Sequence, residues 1–90
     1  MTTNDFIKAA AKLVADYTNR HLDPTDSASV SEQDVYVVWY SKTLQNSKAL
    51  LSTNVPDGMY YEITYNGDKN EVYFDAYKKF ENRCIPFDSI

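Results

Sequence analysis

The chain has little of three residue types on which small functional domains often depend. It contains one cysteine, one histidine and two glycines among 90 residues. One cysteine cannot form an intramolecular disulfide, and one cysteine with one histidine cannot form a zinc ribbon. Two glycines are too few for a glycine-rich phosphate loop, and no apolar run approaches the roughly 18 residues of a membrane helix. We therefore expect no metal, no cofactor and no membrane span.

The composition indicates one small folded domain with an acidic balance. Apolar residues make up 43% of the chain, which is too high a fraction for a disordered protein. Nine lysines and arginines against thirteen aspartates and glutamates leave a formal net charge of −4. Because neutralisation of phosphates supplies most of the affinity for DNA, nucleic acid is not the expected partner.

The expected location is the cytoplasm. The N-terminus lacks the basic start and the long apolar stretch of a signal peptide. The lone Cys84 suits a reducing compartment, where thiols stay free.

The first quarter of the chain has the spacing of an amphipathic helix from about residue 4 to residue 22. Thr2 or Thr3 can cap its first free N–H groups, Asp5 lies near its positive end, and Pro24 prevents its continuation. The predicted buried stripe consists of Phe6, Ala9, Ala10, Leu13, Val14 and Tyr17.

Beyond Val35 the pattern becomes extended. Runs rich in β-branched and aromatic residues predict strands at residues 35–40, 49–53, 59–65 and 71–77. The predicted fold class is α+β, with one N-terminal helix packed on a four-stranded antiparallel β-meander. The chain is interpreted as a single domain with the helix at about 4–22, an acidic linker at 23–34, the sheet at 35–80 and a C-terminal tail at 81–90.

Turn signals constrain the register of the last two hairpins. A two-residue turn at Asn66 would place Glu62 opposite Glu71, a like-charge pair that destabilises a sheet. A four-residue loop through Lys69 instead places Glu62 opposite Tyr73, and this is the predicted register. A three-residue loop at 56–58 places on the core side Ala49, Leu51, Thr53, Met59, Tyr61 and Ile63.

The first strand leaves two alternatives, because either the Trp39 side or the Tyr40 side could face the helix. We expect Trp39 to face inward, since this buries the largest ring. The opposite sheet face would then display five tyrosines among nine positions, which is unusual for a solvent face. These candidate protein-binding residues are Tyr36, Tyr40, Lys42, Lys48, Tyr60, Glu62, Tyr73, Asp75 and Tyr77.

Catalysis is not expected from the residues that could carry it. Glu62 and Asp75 share the open sheet face, whereas acid–base work by paired carboxylates needs apolar enclosure. No acid is placed to orient His21 toward Cys84. Residues 23–34 carry oxygen-bearing side chains at the spacing of a calcium loop but lack its glycine and its terminal glutamate. The only basic patch, predicted as a solvated C-terminal turn, comprises Lys78, Lys79 and Arg83.

Two stretches resemble an uncharacterised family of short proteins from phages and prophages of Gram-positive bacteria. They are VVWYSKTLQNSKALLST at residues 37–53 and DGMYYEITYNGDKNEVYFDAYKKFEN at residues 57–82. The resemblance implies a phage-derived accessory protein acting inside a bacterium, with no assigned activity and no catalytic residues. Positions of interest within these stretches are Trp39, Lys42, Asn46, Lys48, Tyr61, Glu62, Asp75 and Tyr77.

The leading hypothesis is therefore a non-enzymatic protein-binding module that uses the tyrosine-rich sheet face to bind an unidentified host or phage protein. One alternative is a homodimer that assembles through a sheet edge or face, since exposed edges invite pairing. Another is a small-ligand binder with a cleft between helix and sheet.

Overall fold

The structure, a computed structural model, describes residues 1–22 and 29–90. A helix α1 (Thr3–His21) is followed by four strands: β1 (Val35–Thr43), β2 (Asn46–Thr53), β3 (Met59–Asn66) and β4 (Glu71–Lys78). The strands form one antiparallel sheet in the order β1-β2-β3-β4, and α1 packs on one of its faces. The predicted α+β class and the meander are confirmed.

The start of α1 is held by a capping box. The Thr2 hydroxyl accepts a hydrogen bond from the Asp5 N–H at 3.1 Å, and the Asp5 carboxylate accepts one from the Thr2 N–H at 3.2 Å. These bonds satisfy donors that have no partner inside the helix. The hydrogen bond from the Thr2 backbone lowers the pKa of Asp5.

The buried stripe of α1 is rotated from the predicted one. Phe6, Ala10 and Val14 are buried as expected, whereas Ala9 and Leu13 are exposed. The segment after residue 28 packs against α1, where the Asn19 side chain hydrogen bonds to both backbone groups of Val30, at 2.8 and 2.7 Å. Burial therefore extends to the other flank of the helix, at Ala15 and Thr18.

The core side of the sheet matches the predicted alternation on β2 and β3. Ala49 and Leu51 are fully enclosed, and Tyr61 and Ile63 are 1% exposed opposite Phe6 and Val14 of the helix cluster. The loop between these strands covers five residues, 54–58, rather than three. The loop is thus two residues longer than predicted. Because side chains in a strand alternate with a period of two, this difference leaves each side chain on its predicted face. Gly58 takes the expected left-handed conformation, with φ +72°.

A bulge in β1 decides which face each of its side chains takes. Val37 pairs with Leu51, but the next pairing residue, Trp39, pairs with Leu50 and Tyr40 with Ala49. The alternation therefore reverses at the bulge, as an extra residue in one strand requires. The prediction that Trp39 faces inward was wrong, and Tyr40 lies on the helix side instead. Lys42 follows Tyr40 to that side, opposite Ser47.

The register of the β3–β4 hairpin differs from the predicted one by two residues. Glu62 pairs with Asp75 and Tyr60 with Tyr77, so the predicted pairs of Glu62 with Tyr73 and of Tyr60 with Asp75 were wrong. The loop has the predicted four residues but occupies 67–70. Asn66 stays in the strand and its side chain accepts hydrogen bonds from the N–H groups of residues 68 and 69, which shifts the loop by one position.

A tight turn that the sequence did not predict joins β1 to β2 at Leu44 and Gln45. Leu44 has a φ of +55° and is 82% exposed. A left-handed conformation costs a residue with a Cβ roughly 1–2 kcal/mol, which is why asparagine and glycine are the usual residues of such turns.

Leu44→Asn is expected to raise the free energy of unfolding by about 0.5–1 kcal/mol, because asparagine tolerates the left-handed conformation. Urea denaturation followed by circular dichroism measures the change. Leu44→Ala is the matched control, since it removes the same exposed side chain and keeps the strain. Equal stability of the two variants would contradict the explanation.

Two predictions fall on residues outside the described ranges. Half of the acidic linker at 23–34, and half of the positions compared with a calcium loop, lie at 23–28. Within the described part of that segment, Glu32–Asp34 form one turn of 3-10 helix preceded by Ser31. No helix within residues 1–22 or 29–90 has the length and apolar character that a membrane crossing demands.

Candidate functional site

The sheet face opposite α1, here called the open face, carries most of the predicted binding residues. Strand pairing places seven of the nine on it: Tyr36, Lys48, Tyr60, Glu62, Tyr73, Asp75 and Tyr77. Tyr36, Tyr73 and Tyr77 are about half exposed, at 50%, 48% and 52%. The open face thus presents several large rings to solvent.

The two other predicted residues lie on the helix side, because of the bulge in β1. The Tyr40 ring packs against Phe6 with a centroid distance of 5.9 Å, and its hydroxyl is 3.1 Å from the Thr3 hydroxyl. Lys42 lines a depression beside the start of α1. Their predicted place on the open face was therefore wrong.

The bulge also adds residues to the open face that the sequence did not assign to it. Trp39 is 41% exposed there and pairs with Leu50, which is partly buried. The alternation of side chains along β1 did not indicate that Trp39 lies on the open face, because large apolar side chains occur on both sides of this strand. The open face consequently has an apolar end on β1 beside its tyrosines.

A row of charged residues crosses the middle of the open face. Glu62 lies directly opposite Asp75, and Lys48 forms an ion pair with Glu62 at 3.4 Å. Asp75 is exposed and makes no ion pair with any residue that the structure describes. With Glu71, the strand residues of this face carry three carboxylates and one ammonium group. Like charges on directly opposed residues destabilise a sheet, so the face favours an added cation.

The tyrosines of the open face take part in polar and cationic contacts. The Tyr73 hydroxyl donates to the Glu71 carboxylate at 2.8 Å, and this hydrogen bond, together with the carboxylate charge, raises the pKa of Tyr73. The Lys79 ammonium lies 5.8 Å from the centre of the Tyr60 ring, within the range of a cation–π contact. Within the molecule, one ring of this face thus contacts a cation and another hydrogen bonds to a carboxylate.

Two shallow depressions flank the sheet. One, of about 450 Å³, lies on the open face between β1 and β3 and is lined by Trp39, Ser41, Thr43, Asn46, Ser47, Lys48 and Thr64. The other, of about 350 Å³, lies near the start of α1 and is lined by Met1, Lys42, Gln45, Ser47, Tyr65 and Gly67. The interface between the helix and the sheet centre is filled by core side chains.

The structure does not gather the remaining chemically capable residues into one site. His21 stacks on Tyr17 at 4.1 Å and bonds to its carbonyl oxygen, while Cys84 is exposed in the C-terminal segment. Lys78 lies on the helix side, opposite Met59, and Arg83 pairs with Glu81 at 3.0 Å. The predicted basic patch is thereby divided between different surfaces.

Side chains that could bind a metal ion do not cluster within the described residues. Within 1–22 and 29–90, no three histidine, cysteine, aspartate or glutamate side chains come close enough to hold an ion together. The two opposed carboxylates of the open face, Glu62 and Asp75, belong to no such group.

Comparison with known proteins places the chain in a family without placing it near a characterised protein. No curated protein and no solved structure matches it. The model of one protein family matches residues 7–87, which include most of α1 and the whole sheet. The chain therefore belongs to the family of unknown function DUF6275.

Proposed function

We propose that this domain is a non-enzymatic protein-binding module whose open face binds a basic segment of another protein. The observation that carries the proposal is the set of half-exposed rings, Tyr36, Trp39, Tyr73 and Tyr77, on one face of the sheet. Tyrosine and tryptophan lose few rotamers on binding and combine an apolar body with a polar tip. Such rings are frequent among the residues that dominate binding energy.

The charges of the open face support a basic partner. Lys48 compensates Glu62, whereas Asp75 has no basic partner among the described residues. A guanidinium group from a partner can bind a carboxylate through two hydrogen bonds and can stack on a neighbouring ring. Tyr73 and Tyr77 flank Asp75 on the same side of β4, since they are two residues away in either direction.

The absence of enclosure around the carboxylates supports binding rather than catalysis. Asp75 is exposed, and its neighbour Glu62 lies on the same solvent-facing surface. General acid–base catalysis by a carboxyl pair depends on apolar surroundings that raise one pKa and on a cleft that holds substrate.

The proposed partner is a host or phage protein in the bacterial cytoplasm. The phage origin that the resemblance implies stays a prediction, as does the location. Both agree with a small accessory protein that acts by occupying a surface of a larger one.

The test is affinity capture from a bacterial extract with the full chain immobilised, followed by identification and titration of the retained protein. Tyr36→Ala and Tyr73→Ala are each expected to weaken binding at least about tenfold, because exposed aromatic rings are frequent among the residues that contribute most of the energy of an interface. Binding is also expected to weaken with added salt, which screens exposed charges.

Leu13→Ala is the matched control, because Leu13 is a large apolar residue exposed on the outer side of α1. It should retain the partner fully, and circular dichroism should show all three variants folded. The proposal would be contradicted if the tyrosine variants retained the partner as well as the control does. It would also be contradicted if the affinity for the partner did not fall with added salt.

A further inference from the structure

The C-terminal segment 79–90, here called the arm, presents apolar side chains that nothing in the described chain covers. Phe80 is 94% exposed, Phe87 is 87% exposed and Ile90 is 91% exposed. The last backbone hydrogen bond that joins the arm to the described body runs from the Lys79 N–H to the Gly58 oxygen, at 2.7 Å. Large apolar side chains gathered on one exposed segment are typical of an interaction surface.

The arm begins beside an open sheet edge. Within residues 1–22 and 29–90, β4 pairs only with β3, and its eight residues contain neither proline nor a bulge. Regular, exposed edges of this kind are templates for pairing with another strand. The opposite edge, on β1, is interrupted by the bulge between Val37 and Trp39.

The direction of the free backbone groups on β4 follows from the Lys79 hydrogen bond. Backbone N–H and C=O groups of successive residues in a strand point to opposite sides. Since Lys79 donates toward β3, the odd-numbered residues of β4 bond to β3 and the even-numbered ones point to the free edge. Four residues therefore offer unpaired groups there: Val72, Phe74, Ala76 and Lys78.

We propose that two copies of this chain form a dimer by exchanging arms, with residues 79–83 of each copy pairing antiparallel with β4 of the second copy. A two-fold axis at Tyr77 relates the copies, so that β4 and the start of the arm form one long strand beside its own symmetry mate. The result is a continuous sheet across both copies. The occupant of the free edge is thus a second copy of this chain.

Several registers would keep the open faces of the two copies on the same side of the joined sheet. Charge complementarity selects the register with the axis at Tyr77 among them. With the axis at Tyr77, Lys79 lies opposite the second copy's Asp75, and Arg83 lies opposite the second copy's Glu71. Moving the axis by one residue toward the C-terminus would place Glu81 opposite Asp75, which is a repulsive pair. Moving it by one residue toward the N-terminus would place Glu81 opposite Glu71. Opposite charges on directly opposed residues stabilise a sheet, and like charges destabilise it.

The same register gives an apolar contact to the arm. Phe80 lies opposite the second copy's Phe74, a partly buried ring that packs against Tyr17 at 5.1 Å. Pairing must end before Pro86, which has no N–H to donate. The remainder of the arm, with Ile85, Phe87 and Ile90, then continues toward the second copy's β3–β4 turn.

This dimer shares Asp75 and Tyr77 with the proposed binding surface, but it does not use the part of the open face on β1. Arm exchange uses the edge of β4 and leaves Tyr36, Trp39 and Tyr60 uncovered. Tyr36→Ala is therefore expected to leave the dimer intact, which separates a failure of one proposal from a failure of the other.

The first test is sedimentation of the full chain and of charge variants at micromolar concentration. The natural chain is expected to be a dimer. Glu71→Arg and Arg83→Glu each create like-charge pairs in both halves of the interface and should weaken dimerisation about tenfold or more. The double variant Glu71→Arg/Arg83→Glu restores opposite charges and should recover the dimer. A monomeric natural chain, or a double variant as weak as the single ones, would overturn the proposal.

The second test fixes the register with cysteines, in a chain that carries Cys84→Ser. Asp75→Cys with Lys79→Cys places cysteines on directly opposed residues of different copies, at about 4.5 Å between Cα atoms, within the range of a disulfide. Within one copy the same two residues are about 13 Å apart along the strand. Oxidation should yield a covalent dimer on a non-reducing gel.

Asp75→Cys with Glu81→Cys is the control, because these positions are offset by two residues in the proposed register. It should cross-link much less than the first pair. A covalent dimer formed more readily by the control, or a disulfide within one copy, would overturn the arrangement.

Discussion

Tyr61→Ala is expected to lower the free energy of unfolding by about 3–5 kcal/mol, the usual cost of truncating a buried aromatic side chain. Tyr61 is 1% exposed at the point where α1 crosses β3. Its ring centre lies 5.5 Å from that of Tyr17 and 5.7 Å from that of Phe74, and its hydroxyl accepts a 3.5 Å hydrogen bond from Thr18. Truncation would leave a cavity beneath the helix. Urea denaturation followed by the fluorescence of Trp39 measures the loss.

Tyr73→Ala is the matched control, because it removes the same ring from a strand of the same sheet. Tyr73 lies on the open face and is 48% exposed. Its truncation should cost about 1 kcal/mol or less, since little area is withdrawn from a packed environment. Equal losses for the two variants would show that the helix does not enclose Tyr61.

Tyr61→Phe separates the hydroxyl from the ring. Burial raises the pKa of Tyr61 above its ordinary value of 10.0. The stability that depends on a neutral Tyr61 is thus complete below pH 10.0 and falls as the pH rises toward the folded pKa. Tyr61→Phe should weaken this alkaline loss while retaining most of the stability at neutral pH. An unchanged alkaline loss in Tyr61→Phe would contradict this explanation.

Gly67→Ala is expected to lower the free energy of unfolding by about 2 kcal/mol through overpacking. The β1–β2 and β3–β4 turns meet at one end of the sheet, where the Asn46 side chain accepts a 3.0 Å hydrogen bond from the Gly67 N–H. A Cβ on Gly67 would lie 2.8 Å from the Gln45 Cβ and closer still to the Gln45 carbonyl oxygen. Because the obstacle includes backbone, relief requires the two hairpins to separate. Urea denaturation measures the change.

Lys69→Ala is the control for Gly67→Ala, because Lys69 is an exposed residue of the same loop. A substitution at such a position should change stability by no more than about 0.5 kcal/mol. If Gly67→Ala were as stable as the natural chain, the two turns would not be in close contact in solution.

The elements of the fold could be predicted because local patterns specify them. The spacing of apolar residues in the first 22 positions indicates a helix without reference to any other segment. Thr2 and Asp5 form the capping box at which this helix begins. The alternation after Val35 likewise predicts strands, and short connections between antiparallel strands lead to a meander. The core residues of β2 and β3 followed from the same alternation.

The candidate site could be predicted only in part, because strand faces depend on pairing. Seven of the nine binding candidates lie on the open face, whereas Tyr40 and Lys42 do not. Val35–Tyr40 is apolar or aromatic at every position, so its sequence contains no polar face to locate. The turn at Leu44 was missed for a related reason, since Leu-Gln lacks the residues that favour left-handed turns.

The sequence by itself determined the helix, the strands, their order and the core of the central strands, since each rests on periodicity within a single segment. Only the tertiary structure decided the bulge in β1, the register of β3 with β4 and the close contact at Gly67. These depend on how segments distant in sequence fit together. An extra residue in a strand exchanges the two faces of everything after it, and a shift of a loop by one position moves every cross-strand pair by two.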